Sequence, residues 1–386
     1  MVYNVSTEKI ILSAFEDKEN AGVMFVGPKG VFKLFSSEII ISKFLEDYPS
    51  YIPFNHSDIF VAGPYYYDLY YKFFEKNFDF VLNNRYLNDL FVRFVGFCIA
   101  NRSFSDDEGV ASDLILYLDS IRKSKTLDKS DFEKLFYCLE VVTKKLSRIE
   151  SIGIDVIREI IKFATRASLS GYKFVVISDF DKATVEAQNA FLKILEEPPK
   201  GVFFILTTSN YNNVLPTIKS RVFRVSFLKI KGQELKSYFD GILNLDVDSY
   251  YSFYDLMLEN VYDISGEFFS NVLKVMISRD LDFAMDFVEK MVESYVLVEK
   301  FFELVSKIIN SMLEFRARFA GMDIRIDKDI LSKFPKEMLG SLTVSKLYKL
   351  QSILDDGYRK VYTFNINPKF VITNFFVEFF DAIART

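Results

Sequence analysis

Tryptophan is absent from this 386-residue chain, histidine occurs once, at His56, and cysteine twice, at Cys98 and Cys138. With one histidine, Ser-His-Asp, Cys-His and multi-histidine metal chemistry are set aside. Two cysteines are too few for a disulfide framework or a four-cysteine zinc site. No stretch approaches the roughly 18 uninterrupted apolar residues that a membrane span needs. The first twenty residues carry Glu8, Lys9, Glu16, Asp17, Lys18 and Glu19, so no signal-peptide core is expected there, and the expected location is cytoplasmic. An excess of positive charge is missing too. The formal net charge of −5 argues against a strongly basic duplex-binding protein, and any DNA contact is expected to be minor and to the backbone.

What is present suits a soluble globular protein, 50% hydrophobic and 26% charged, long enough for two or three domains. The 42 Phe and 22 Tyr carry no functional reading by themselves.

Val23-Met24-Phe25-Val26 is an apolar run that stops at Gly27-Pro28-Lys29-Gly30, and a helical pattern follows from about Phe32 to Leu45. The order is strand, tight loop, helix. Lys173-Phe174-Val175-Val176-Ile177 is a buried-type strand ending at Ser178-Asp179-Phe180-Asp181. Thr184 then caps a helix with Glu186 in its first turn, where the dipole favours an acid. Ala187, Ala190, Phe191, Ile194 and Leu195 share one face of that helix, and Pro198-Pro199 stops it. A third strand runs from Val202 to Leu206 into Thr207-Thr208-Ser209-Asn210. Pro216 starts a short helix reaching Arg221, and Phe223, Val225 and Phe227 alternate as a fourth strand.

Strands spaced by helices imply a doubly wound parallel sheet with its site at the carboxyl ends of the strands. After Lys229 the pattern turns helical, with helices predicted over Gly232–Leu243, Tyr254–Met276, Asp280–Phe319 and Leu342–Tyr358. The expected division is an α/β core over 1–228, a small helical domain over 229–280 and a larger one over 281–386. A mostly helical insertion at about 65–148 sits inside the core.

The loop after the first strand lies where a phosphate-binding P-loop belongs. Its template, G-x-x-x-x-G-K-[ST], uses glycines so that backbone N–H groups cradle phosphates, Lys to pair with them, and a hydroxyl to hold Mg²⁺. Gly27 and Lys33 match, whereas Phe32 replaces the second glycine and Leu34 the hydroxyl. A Gly-Pro-Lys-Gly turn before a helix is also commonly a plain turn. In a Walker-B strand the metal-holding Asp is usually followed by an acid. Ser178 stands at the metal position here and only Asp179 remains, with Asp181 a helix-start residue. Both halves of a Mg²⁺ site are missing, and a fold kept for another purpose is expected.

The segment Glu186-Ala187-Gln188-Asn189-Ala190-Phe191-Leu192-Lys193-Ile194-Leu195-Glu196-Glu197-Pro198-Pro199 closely resembles the string that bacterial DNA polymerase III clamp-loader subunits carry after the Walker-B strand. Leu215 to Val222 resembles their Ser-Arg-Cys segment, with Ser220 and Arg221 in place and Val222 where Cys is usual. Ile152 to Arg158 is similar to the helix preceding the Walker-B strand. Asn55-His56-Ser57-Asp58-Ile59 is similar to the family's His-Pro-Asp turn. Asn365-Ile366-Asn367-Pro368-Lys369-Phe370 resembles the Asn-x-Asn-Pro signature of delta-prime collar domains, which selects the delta-prime type.

The resemblance implies an AAA+ core followed by a helical lid and an all-α collar. It also implies that Arg221, with Ser220 beside it, reaches as an arginine finger into a neighbour's ATP site. The alternative for Arg221 is a surface residue that complements a helix C-terminus. Gly27 and Lys33 would be remnants of nucleotide binding, Lys33 being equally well a solvated helix residue, and no cofactor is expected. Asp263 to Phe269 aligns with the lid segment where ATP-using relatives place a sensor-2 Arg, and Phe269 holds that position. The family's four-cysteine zinc module has no counterpart here.

Expected partners are gamma/tau-type motor subunits and a delta-type subunit, with the sliding clamp and primed DNA reached through the complex and no membrane. On this reading the chain is an accessory subunit of the DNA polymerase holoenzyme and not itself an enzyme. Two rivals stand beside it: the gamma/tau-type ATPase motor, opposed by Phe32, Leu34, Ser178 and Phe269, and a degenerate AAA+ scaffold outside replication.

Overall fold

A computed structural model describes residues 22–45, 53–101, 108–124, 129–149, 151–230, 252–319, 328–362, 364 and 366–384. The chain divides into two compact units, Met1–Val261 and Tyr262–Thr386.

The first unit is built on five parallel strands, β1 Gly22–Val26, β2 Ile59–Ala62, β3 Lys173–Ile177, β4 Val202–Thr208 and β5 Phe223–Ser226, in the order β2-β3-β4-β1-β5. β1 and β4 are neighbours whose connections run in opposite directions across the sheet, from β1 toward β2 and from β4 toward β5. The loop after β1 therefore opens at a topological switch point, where open α/β sheets keep their sites. This is the parallel α/β sheet with its helices expected from the sequence.

The strands are apolar on both faces because helices cover both. Met24, Val175, Ile177, Phe204 and Leu206 pack with Ile157 and Ile160 of α7 (Ile154–Thr165) and with Ala187, Phe191 and Leu195 of α8 (Val185–Glu196). Thr184 caps α8 as expected, its hydroxyl accepting from Ala187 N at 3.2 Å. The first helix after β1, α1, spans Lys33–Ile41, shorter than the sequence pattern suggests.

The insertion is helical, with α2 Tyr67–Lys76, α3 Phe78–Asn83, α4 Arg85–Ala100, α5 Glu108–Ser124 and α6 Lys129–Leu146. Its rings form a continuous apolar cluster. Phe74 lies 5.0 Å from Phe91, and Phe136 lies 5.1 Å from Phe78 and 4.7 Å from Phe132, between centroids. Phenylalanine is thus the packing material of this bundle.

A four-residue helix, α9 Pro216–Lys219, precedes β5, and α10 Phe253–Tyr262 follows the sheet. The expected helix at Gly232–Leu243 lies outside the described residues.

The single helix expected over Tyr254–Met276 is broken. Asp263 takes a left-handed conformation (φ 47°), a π turn covers Ile264–Phe268, and α11 runs Phe269–Ser278. The Asp263 carboxylate accepts from Glu267 N at 3.0 Å and so stabilises the break. The expected Asp280–Phe319 helix likewise divides into α12 Leu281–Met291 and α13 Tyr295–Phe319.

The second unit is entirely helical among its described residues. It continues with α14 Lys328–Leu331, α15 Lys336–Ser341, α16 Val344–Tyr362 and α17 Pro368–Ala384. Its core joins Phe301, Phe302, Leu350, Leu354, Phe375, Phe376 and Phe379.

Candidate functional site

The turn between β1 and α1 is shaped by close approaches. A Cβ on Gly27 would lie 2.4 Å from Phe227 O, so only glycine lets the backbone pass. Gly30 has φ +69°, and a Cβ there would lie 2.2 Å from Tyr254 N. Phe253 N donates to Gly30 O at 3.2 Å, which fastens the start of α10 to the turn. Phe32, at the position the template gives to glycine, has φ 59°. The backbone conformation that favours glycine persists, and a phenylalanine occupies it at a cost of about 1–2 kcal/mol. Its ring stacks on Phe253 at 5.7 Å, which offsets that strain by burial.

Lys33 is the centre of this turn. Its side chain is not a solvated helix residue, since Lys33 is 7% exposed. The ammonium donates to Gly27 O and Pro28 O, both at 2.6 Å, and to Ser209 Oγ at 3.1 Å. Three donors meet three acceptors, so the lysine saturates the loop it would otherwise leave to a phosphate. Burial lowers its pKa from 10.5 to about 8, against the opposing pull of Asp179 and Asp181. Gly27 and Lys33 are therefore in mutual contact.

At the end of β3, Ser178 Oγ donates to Pro64 O at 2.7 Å. Asp179, left-handed at φ 43°, donates its N–H to Thr207 Oγ1 at 3.1 Å. Its Oδ2 accepts no hydrogen bond and lies 3.7 Å from Lys182 Nζ. Asp181 accepts from Thr208 Oγ1 at 2.6 Å and from Ser209 N at 3.1 Å, and burial followed by the neighbouring Asp179 charge raises its pKa. Thr207 and Thr208 thus serve as strand-end hydrogen-bond partners.

The two positions at which the template holds Mg²⁺ are Leu34 and Ser178. A hydrocarbon gives the ion no ligand, and the Ser178 hydroxyl, its proton donated to Pro64 O, lacks the negative charge of the carboxylate that the template places there. Among the described residues, no group of three or more His, Cys, Asp or Glu is placed to hold a metal. No helix among them is long and apolar enough to cross a membrane.

Arg221 and Ser220 lie apart from this turn, where β5 is approached from α9. Arg221 Nη2 sits 2.6 Å from Glu196 Oε1, while Nη1 donates to Thr217 O at 2.9 Å and to Ser220 Oγ at 3.3 Å. Ser220 Oγ donates in turn to Thr217 O at 3.0 Å. None of these bonds reaches the Lys33 turn.

Sequence reasoning missed the residue that sets this geometry. Gln188 is 2% exposed, donates to Ala183 O and Asn213 O, and accepts from Leu215 N at 2.8 Å. It ties α8 to the segment that delivers Arg221. Its amide sits one turn into an amphipathic helix, and only its placement on the buried face would have marked it.

Elsewhere, His56 Nδ1 accepts from Asp58 N at 3.0 Å, as a local turn residue does. Asn367 Oδ1 accepts from Lys369 N at 2.9 Å at the start of α17, whereas Asn365 lies outside the described residues. Phe269 begins α11 and is half-buried.

Residues 102–231 match the model of the family described as DNA polymerase III, delta subunit. Over 113 residues the chain is 30% identical to replication factor C subunit 3 of Schizosaccharomyces pombe, covering 27% of this chain and 33% of that one. Over 100 residues it is 38% identical to DNA polymerase III subunit tau of Bacillus subtilis, covering 25% and 17%. Over 72 residues it is 40% identical to DNA polymerase III subunit delta′ of Escherichia coli, covering 18% and 22%. The chain spans a third or less of the length of these curated relatives.

Proposed function

We propose that this chain, similar over part of its length to subunits of the DNA polymerase III clamp loader, is a delta-prime-type subunit of that family, which hydrolyses no ATP itself and supplies Arg221 in trans to a neighbour's ATP site. The observation that carries this reading is the Lys33 ammonium bonded to Gly27 O and Pro28 O. A lysine that satisfies its own loop does not offer its charge to a phosphate. Leu34 and Ser178 support the same reading, because Leu34 offers Mg²⁺ no oxygen and Ser178 offers a neutral hydroxyl where the template holds the ion with a carboxylate.

Arg221 is the catalytic group in this proposal, with Ser220 holding one of its nitrogens. A planar, permanently charged guanidinium stabilises the charge that spreads over the transferred phosphoryl group. Removal of such a finger lowers rates by on the order of 10³–10⁵ where one acts. The ring in this reading contains gamma/tau-type motors and a delta-type subunit, acts on a sliding clamp and primed DNA in the cytoplasm, and is held by the helical collar over 281–386. Residues 1–228 are its AAA+ core and 229–280 its lid.

Kinship with tau of Bacillus subtilis keeps the ATP-hydrolysing motor as the second reading. Calorimetric titration of the purified chain with Mg²⁺-ATP separates the two. No heat of binding is expected at millimolar nucleotide, and micromolar binding would establish the motor reading instead.

A further inference from the structure

Glu196 closes α8, and a carboxylate at a helix C-terminus faces the negative pole of the dipole, where a cation is favoured. The tertiary structure supplies the compensating charge, with Glu196 Oε1 2.6 Å from Arg221 Nη2. Together with Thr217 O and Ser220 Oγ, three contacts from two elements fix the plane of the guanidinium. Of its five N–H donors, the one on Nε and one on Nη2 are left uncommitted. The side chains are 35% and 48% exposed for Arg221 and Glu196, so the pair is worth little to folding. Its consequence is geometric.

We propose that Glu196 is a positioning residue for Arg221, holding the guanidinium in one orientation before a neighbouring subunit arrives. This rests on the reading of Arg221 as a finger in trans. A long side chain that enters another subunit's site unordered must be ordered there, and that entropy raises the barrier. Glu196 removes the penalty in advance. Its charge also partly neutralises Arg221, which works against transition-state stabilisation, so the sign of the effect decides between the two roles.

The test uses the loader reconstituted from this chain and ATP-hydrolysing clamp-loader subunits, with clamp and primed DNA. Steady-state kcat and KM for ATP are measured for the wild type, Arg221→Ala, Glu196→Ala, Glu196→Gln and the double variant Glu196→Ala/Arg221→Ala, with assembly checked by gel filtration. Arg221→Ala is expected to slow the complex. Glu196→Ala is expected to lower kcat by on the order of tenfold to a hundredfold, the scale of a misplaced catalytic group, with KM unchanged. Glu196→Gln should retain most of the rate, since its amide oxygen still accepts from Nη2. The double variant should be no slower than Arg221→Ala alone. A slow Arg221→Ala complex beside a Glu196→Ala complex at or above the wild-type rate would overturn the positioning role and leave the finger standing. Losses that multiply in the double variant would overturn it too. A wild-type rate for Arg221→Ala would remove the finger, and this inference with it.

Discussion

Replacing Lys33 by methionine tests the account of the β1–α1 turn through its proton. In the folded chain Lys33 titrates at about 8, and in the unfolded chain near the ordinary lysine value of 10.5. Below pH 8 both states carry the charge, and the cost of burying it is constant. Between about pH 8 and 10.5 the unfolded state holds the proton that the native state has released. Stability therefore rises with pH across that window and levels off above it. A difference of about 2.5 pH units at 1.36 kcal/mol each gives a rise of about 3 kcal/mol in all.

Buried tyrosines act in the opposite sense. Burial raises the pKa of Tyr67 and Tyr70, so their contribution is complete below pH 10 and is lost above it. The comparison of wild type with Lys33→Met cancels that background. Urea unfolding followed by circular dichroism, which needs no tryptophan, at half-unit steps from pH 7 to 10.5 is the assay. The wild type is expected to gain on the variant by about 3 kcal/mol over the window. Parallel profiles, or a wild type that loses ground as the pH rises, would refute the buried, carbonyl-bound ammonium.

Three further outcomes are expected. Gly30→Ala forces a Cβ against Tyr254 N at a positive φ and should destabilise the first unit by about 2 kcal/mol or more, read as a lowered urea midpoint at constant slope. Gln188→Ala leaves Ala183 O, Asn213 O and Leu215 N without their partner and should cost about 2–4 kcal/mol by the same measurement. Ser178→Asp restores the acidic residue of the template beside two carbonyl oxygens, those of Ala62 and Pro64. It should lower the midpoint by a comparable amount and produce no Mg²⁺-dependent stabilisation, which a thermal melt with and without the ion would check.

Short-range chemistry was legible in the sequence. Thr184 and Pro198 bound α8, Pro216 opens α9, and apolar runs ending in glycine or polar clusters mark β1, β3 and β4, because caps, prolines and strand periodicity act within a few residues. The absence of a hydroxyl at Leu34 and of a carboxylate at Ser178 was equally plain, since a missing ligand needs no fold to be seen. The break at Asp263 was hidden, because a left-handed aspartate leaves the 3.6-residue pattern of its neighbours intact.

Only the tertiary structure decided where the charges go. Lys33 could equally have pointed to solvent until β4 brought Ser209 beside it and the turn folded its carbonyls back. Glu196 was an unfavourable charge at the end of a helix until α9 set Arg221 against it, 25 positions further along the chain. Propensity and periodicity are properties of neighbouring residues, whereas pairing a charge requires segments distant in sequence to meet. The sequence therefore determined which groups the site lacks, and the packing of the sheet and its helices determined what the remaining groups hold.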